Sequence, residues 1–332
     1  MSRVINIVVT CTDSKTLKVN KLLQLRNYSS SDLTTRFQAW KKALNNATDD
    51  ISIEHKAALD VYKGDIWSTV KRFDSATKKN ELQIKLWICS AGYGLISDKA
   101  KIAGYKATFA RSQDDSVARG ISSTSKALIE KAWWKALTKW DGPEKGEPRS
   151  ITAIVKKFPD NILLVVCSSS YLNAIYDDLV TAQKSLTNTD NLIIICAGKE
   201  KVEGLSGNMP PCDGRFQELL GGARGAINVR LAEKILSEEH PDNINADKLI
   251  KKYGELLEQQ PPIKKFNRKK IPEQEIKEYI RKNLEKNPNL SATKLLRQYR
   301  DDGFQCEQKR FRDLFNSLNE KNLNLEITDN SF

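Results

Sequence analysis

The sequence predicts an α/β fold: a mostly parallel central sheet flanked by helices, followed by a small all-helical domain of helix-turn-helix-like design. Three observations carry this expectation. Four short aliphatic runs, VINIVVT (4–10), IKLWICS (84–90), ILLVVCS (162–168) and LIIICA (192–197), are continuously apolar rather than alternating, as strands buried on both faces of a parallel sheet must be. Longer segments with helical patterning separate them, including 51–63, 121–139 and 171–184, so strand and helix alternate along the chain. Beyond residue 258 the strand pattern stops and only helical patterns follow.

Taken in order, the N-terminal MSRVINIVVTCTDSK has a short apolar stretch ending in polar residues without a small-residue cleavage site, and reads as the first strand rather than a signal peptide. After the fourth strand, GNMPPCDGRFQELLGGARGAINVRLAEKIL (207–236) predicts a short helix begun by Asp213, a Gly221-Gly222 break and a second amphipathic helix. Paired prolines and a basic cluster in EQQPPIKKFNRKKIPEQE (258–275) mark a linker. Three short helices are expected at 276–288, 291–303 and 306–319, with Ser291 capping the second and Gly303 ending it. Phe304, Phe311, Leu314, Phe315 and Leu318 are their expected core. The domains are therefore read as 1–258 and 259–332.

Composition narrows the function classes. At 332 residues the chain exceeds what one hydrophobic core usually supports. No run approaches the roughly 18 consecutive apolar residues of a membrane span, so neither a membrane location nor a membrane partner is expected. With 54 Lys+Arg against 42 Asp+Glu the formal charge is +12, which favours a polyanionic partner. From 261 to 312 there are 15 Lys+Arg against 7 Asp+Glu, the local clustering that nucleic-acid binding requires, although charge runs also make ordinary solvated faces. The six cysteines (11, 89, 167, 196, 212 and 306) include no CxxC pair, so no metal or other cofactor is expected and a reducing cytoplasm is the expected compartment. His55 and His240 are the only histidines. Neither adjoins an apolar strand or a glycine-rich turn, which argues against a Ser-His-Asp triad or a multi-histidine metal centre.

The segments after the strands are the most informative: TCTDSK (10–15), CSAGYGLIS (89–97), CSSSYL (167–172) and CAGKE (196–200). Ligands of open parallel sheets bind outside the carboxyl ends of the strands, where small residues let backbone amides approach. Ser, Thr and Asp also serve there as helix caps. Arg215 and Arg224, near two helix starts, are candidate phosphate contacts, and a solvent-exposed arginine beside a tight turn is the plainer alternative.

The stretch LWICSAGYGLISDKAKIAGYKATFARSQDDSV (86–117), with DGRFQELLGGARGAINVRLA and the terminal SATKLLRQYRDDGFQCEQKRF, resembles bacterial phage-defence DNA glycosylases with a uracil-DNA-glycosylase-like core. The resemblance implies cleavage of the N-glycosidic bond of a modified base in double-stranded phage DNA, such as glucosylated hydroxymethylcytosine, leaving an abasic site. The chain lacks the Gly-Gln-Asp-Pro-Tyr-His loop of ordinary uracil-DNA glycosylases, so uracil is not the expected base.

Such a reaction passes through an oxocarbenium-like sugar and needs an anion near C1′, a positioned water and donors for the departing base. Asp13, in the first strand-end loop, and Asp115, in QDDSV, are the candidate catalytic acids. Asp98 is a weaker third, because SDK looks like a helix start, and Asp213 a further alternative. A flipped base needs stacking and hydrogen-bonding groups: Tyr93, Tyr105 and Phe109 supply aromatic faces, and Ser90, Thr108, Ser168, Ser169, Ser170 and Tyr171 supply hydroxyls. Tyr105 and Phe109 serve equally well as packing residues. Candidate DNA-phosphate contacts are Lys15, Lys199, Arg215, Arg224, Lys264, Lys265, Arg268, Lys269, Lys270, Lys309, Arg310 and Arg312. Two other readings stay open: a non-catalytic sensor of modified nucleic acid or nucleotide, and a nucleoside hydrolase or base-exchange transferase acting without an abasic product.

Overall fold

The computed structural model describes residues 4–80, 82–122, 125–198, 202–263, 267–308 and 310–318. Its contacts divide the chain into two compact units, Met1–Pro262 and Ile263–Phe332, and the division falls inside the proline-rich stretch 258–275.

In chain order the first unit contains β1 (Val4–Thr10), α1 (Leu33–Asp49), β2 (His55–Ala57), α2 (Ala58–Val61), α3 (Asp65–Val70), α4 (Phe73–Thr77), β3 (Gln83–Ser90), β4 (Gly94–Ser97), β5 (Lys101–Ala103), α5 (Lys126–Thr138) and α6 (Ile151–Lys157). It continues with β6 (Ile162–Cys167), α7 (Ser169–Ser185), β7 (Leu192–Cys196), α8 (Gln217–Leu220), α9 (Ile227–Glu238) and α10 (Ala246–Glu258). Among the described residues five strands form one sheet in the order β4-β3-β1-β6-β7. β3, β1, β6 and β7 run parallel, and the edge strand β4 returns antiparallel to β3. β2 and β5 form a separate antiparallel ribbon.

The four aliphatic runs become the four parallel strands because both faces are covered. Every residue of β6 and β7 is buried, with α5 and α6 packed on α7, and α3 and α4 packed on α9. The polar interruption of β1, Asn6, is buried too, and its side-chain oxygen accepts a hydrogen bond from the Trp87 indole at 3.2 Å. The chain passes from β1 to β3 on one side and later returns to β6 on the other. The strand order therefore reverses between β1 and β6, the switch point at which open sheets bind ligands.

Two local differences from the sequence reading have physical reasons. Helical patterning over 51–63 is realised only as α2, because Asp50 accepts from both the Ser52 amide and hydroxyl, fixing a turn, and His55–Ala57 pairs with β5. The 17-residue α1 lies outside the expected helices. Its buried stripe, Arg36, Phe37, Trp40, Ala43, Leu44 and Ala47, has an arginine at a core position, which breaks the apolar pattern. That guanidinium is held by the carbonyls of Val117, Arg119 and Leu25.

The second unit contains α11 (Glu273–Lys286), α12 (Ala292–Asp301) and a further helix over 310–318. Ile276, Ile280, Leu284, Leu295, Leu296, Tyr299, Phe311, Leu314, Phe315 and Leu318 form its core, with Phe304 packed against it. Ser291 caps α12 by accepting from the Lys294 amide, and Gly303 turns the chain at φ 89°. Among the described residues no helix is long and apolar enough to cross a membrane.

Candidate active site at the strand-end crevice

At the switch point the loop leaving β1 meets the start of α7. The Cys11 amide donates to the Cys89 carbonyl at 3.0 Å, continuing the strand pairing by one residue. The Cys11 thiol lies 3.0 Å from the Tyr171 hydroxyl, linking the ends of β1 and β6 across their gap. Ser168, Ser169 and Ser170 occupy the rim. The hydroxyls of Ser168 and Ser170 are 3.2 Å apart, and that of Ser169 is 3.9 Å from the Cys196 sulfur at the end of β7.

Beneath this rim is a buried polar layer. Ser90 Oγ accepts from the amides of Gly92 and Tyr93 at 3.1 and 2.9 Å, which occupies its lone pairs and leaves its proton for the Tyr105 hydroxyl at 2.6 Å. Tyr105 and Tyr62 hydroxyls are in turn 2.9 Å apart. Lys15, only 8% exposed, places its ammonium over the Tyr105 ring at 4.2 Å and the Tyr62 ring at 5.5 Å. It donates to the carbonyls of Thr12 at 3.0 Å and Asp13 at 3.4 Å. Burial lowers the Lys15 pKa from the usual lysine range, and pushes the hydroxyls of Tyr62, Tyr105 and Tyr171 well above the usual tyrosine range. These phenols are therefore neutral donors.

The AGYG turn after β3 is held from both sides: the indoles of Trp133 and Trp40 donate to the carbonyls of Ala91 and Gly92 at 2.8 and 2.9 Å. Glycine is required at 92, where a Cβ would stand 2.5 Å from the Tyr105 ring. Tyr93 packs edge-on against Tyr105, and Phe109 edge-on against Tyr171.

The candidate acids occupy different surroundings. Asp13 is exposed at the crevice, its side chain 77% accessible, and pairs with Lys106 at 2.5 Å. The Asp115 carboxylate is buried and accepts from the Arg26 amide at 3.0 Å and from Arg26 Nε at 3.0 Å, with Nη2 also engaged. It anchors the 24–28 turn to the 108–117 loop, whose neck is the pair of backbone bonds between Thr108 and Asp115 and between Val117 and Thr108, each 3.0 Å. Thr108 Oγ accepts from the Ala110 amide at 3.0 Å within that loop. Asp98 is at the opposite end of the sheet: its amide bonds the Leu86 carbonyl early in β3, and it lines a depression of about 660 Å³ with Trp87, Glu144 and Lys157. Burial raises the Asp98 carboxyl above the usual range. Asp213 bonds the Arg215 amide and guanidinium. Burial pushes its carboxyl up, but the Arg215 hydrogen bonds and charge outweigh this and leave it low.

The structure thus brings Asp13, Lys15, Ser90, Tyr105 and Tyr171 together, with Tyr93 and Phe109 behind them as fully buried packing. The aromatic rings are buried, while Thr12 is partly exposed and Asp13 and Ser168 are exposed at the strand ends. Three participants fell outside the sequence reading of the site: Cys11, Tyr62 and Lys106. Cys11 was visible in TCTDSK as a strand-end residue, whereas nothing in the sequence links Tyr62 to Tyr105.

Of the candidate phosphate contacts, Lys199, Lys264, Lys265 and Lys309 lie outside the described residues. Arg215 is engaged by Asp213, and Arg224 Nε donates to Gln217 at 2.8 Å. In the second unit Arg268 Nε donates to the Arg300 carbonyl at 2.9 Å, and Lys269 exchanges backbone bonds with Gly303 and Gln305. Lys270 and Arg312 are exposed, as is Arg310, whose guanidinium is 3.6 Å from Glu273.

No protein-family model matches the chain, and a search of curated proteins found no match. The fold defines an α/β protein with a mostly parallel five-stranded sheet among the described residues and flanking helices.

Proposed function

We propose that this protein is a DNA glycosylase that hydrolyses the N-glycosidic bond of a modified base in phage DNA, leaving an abasic site, as an act of antiviral defence. The observation that carries the reading is an exposed carboxylate, Asp13, standing over a buried layer of neutral hydroxyls and aromatic rings at the β1/β6 switch point. An extruded nucleotide entering there would put its sugar beside Asp13 and its base among the hydroxyls of Ser168, Ser169 and Ser170. The Asp13 anion stabilises the sugar cation as the bond to the base lengthens, and orients the attacking water. An exposed ion pair such as that with Lys106 contributes only about 0–1 kcal/mol, so Asp13 exchanges this partner for the sugar at little cost. Asp115, neutralised by Arg26, holds the 108–117 loop in place. The basic second unit supplies affinity for the phosphates, and the resemblance of 86–117 to phage-defence glycosylases supports the choice of substrate.

The sensor reading draws on one specific observation, the closed hydrogen-bond chain of Ser90, Tyr105 and Tyr62, whose groups already satisfy one another. The test is incubation of the purified protein with phage DNAs of different base modification, followed by labelling of abasic aldehydes. Labelling confined to modified DNA is expected. Binding without labelling on any DNA would transfer the crevice to the sensor reading.

A further inference from the structure

Lys15 has an environment unlike that of a phosphate-binding lysine. Its ammonium is held by two main-chain carbonyls and two aromatic faces rather than by a carboxylate, and the acid two residues away, Asp13, turns its side chain to Lys106. Both carbonyls belong to the strand-end loop, partly exposed at Thr12 and exposed at Asp13, so the amine lies just beneath the loop where the sugar of an extruded nucleotide would sit. Burial outweighs the attraction of the Asp13 and Asp115 charges for its ammonium, and a primary amine so placed can become a nucleophile toward carbonyl carbon.

We propose that Lys15 is the nucleophile of a second activity at this crevice, an abasic-site lyase that cuts the DNA strand through an imine. The proposal rests on the glycosylase reading for the source of its substrate, but the reaction needs only an abasic site. The neutral amine of Lys15 adds through its lone pair to the C1′ aldehyde of the ring-opened abasic sugar, and water leaves to give the imine. The Asp13 carboxylate removes a proton from C2′. The C–H electron pair forms the C2′–C3′ double bond, and the C3′–O bond breaks with the 3′ phosphate as leaving group. Water then hydrolyses the imine, freeing the unsaturated aldehyde and regenerating the lysine. No oxidant, reductant or metal is consumed. The lowered pKa of Lys15 raises the share of neutral amine available for the first step.

The test uses the full chain and a duplex carrying one preformed abasic site, with borohydride present to reduce the imine to a stable amine. The expected result is a covalent protein–DNA adduct mapped by mass spectrometry to the peptide containing Lys15. Strand cleavage should occur in parallel when borohydride is omitted. Lys15→Arg keeps the positive charge and hydrogen-bond donors but forms no imine, and should lower adduct yield by about 10²-fold or more while leaving DNA binding intact. No adduct with the parent protein, an adduct mapped to another residue, or parental yield from Lys15→Arg would overturn the assignment. If Lys15→Arg is less stable, Lys15→Met shows whether loss of trapping follows the amine or the fold, since it too keeps the stem. Because the abasic site is supplied ready-made, failure of the lyase is separable from failure of base release, which is read on intact modified DNA.

Discussion

Asp13 and Asp115 sit close enough in the fold to be confused by any loss-of-function screen, yet their surroundings require opposite behaviour when each is changed to asparagine. Asp115 is 7% exposed at its side chain and accepts from the Arg26 amide, Nε and Nη2. A hydrogen bond to a charged group contributes about 1.5–3 kcal/mol. Asparagine keeps one acceptor oxygen, enough for the Arg26 amide, and loses the charge that holds the guanidinium. Arg26 is 44% exposed, so water takes over part of the loss and the net cost of Asp115→Asn is about 2–3 kcal/mol. For a unit of this size that lowers Tm by about 4–12 °C. Asp13→Asn removes only an exposed pair, a change of about 0–1 kcal/mol, but should slow base release by about 10²-fold or more, because the charge is needed most in the transition state. The assay is thermal unfolding of both variants, with single-turnover abasic-site formation on glucosylated phage DNA well below either Tm and DNA binding in parallel. An Asp115→Asn protein that melts with the parent and loses base release, or an Asp13→Asn protein that releases base at the parental rate, would overturn these assignments.

Gly92→Ala should drive its new Cβ into the Tyr105 ring, 2.5 Å away, costing about 1–3 kcal/mol by overpacking and separating Tyr105 from Ser90; unchanged unfolding in denaturant would show that the turn has room. Asp98 has a folded-state pKa raised by burial, so its contribution favours folding below the ordinary carboxylate range and is lost as pH rises through the folded value. Asp98→Asn should therefore be more stable than the parent near neutral pH and lose that advantage in acid, with base release unchanged. Equal stability at neutral pH would contradict the burial effect. A chain ending at Pro262 should fold on its own core but bind DNA more weakly and with a shallower salt dependence, since fewer phosphates are neutralised; equal affinity and slope would remove the second unit from DNA binding.

The parallel strands were legible because a strand buried on both faces is almost continuously apolar, as β6 and β7 are throughout and β1 is from Val4 to Val9 apart from Asn6. β4 was not, because four residues of an antiparallel edge strand leave no distinct pattern. α1 was hidden by Arg36, a charged group whose burial depends on carbonyls more than eighty residues away for two of its bonds. The strand-end loops could be located from their small polar residues, and with them Asp13, Ser90 and Ser168. What those residues touch could not, since the Cys11–Tyr171 contact spans 160 positions and follows from the order in which strands enter the sheet. The difference between Asp13 and Asp115 was likewise invisible, because it depends on Arg26, a residue with no motif around it.

Breakage of a base–sugar bond at the strand-end site is read by mass spectrometry of the small molecules that the full chain releases from glucosylated phage DNA under single-turnover conditions. The free modified base should appear in an amount equal to the abasic sites formed, and should be nearly absent with Asp13→Asn. Intact DNA with no free base, under conditions where the protein is bound to it, would show that the protein does not cleave the base–sugar bond.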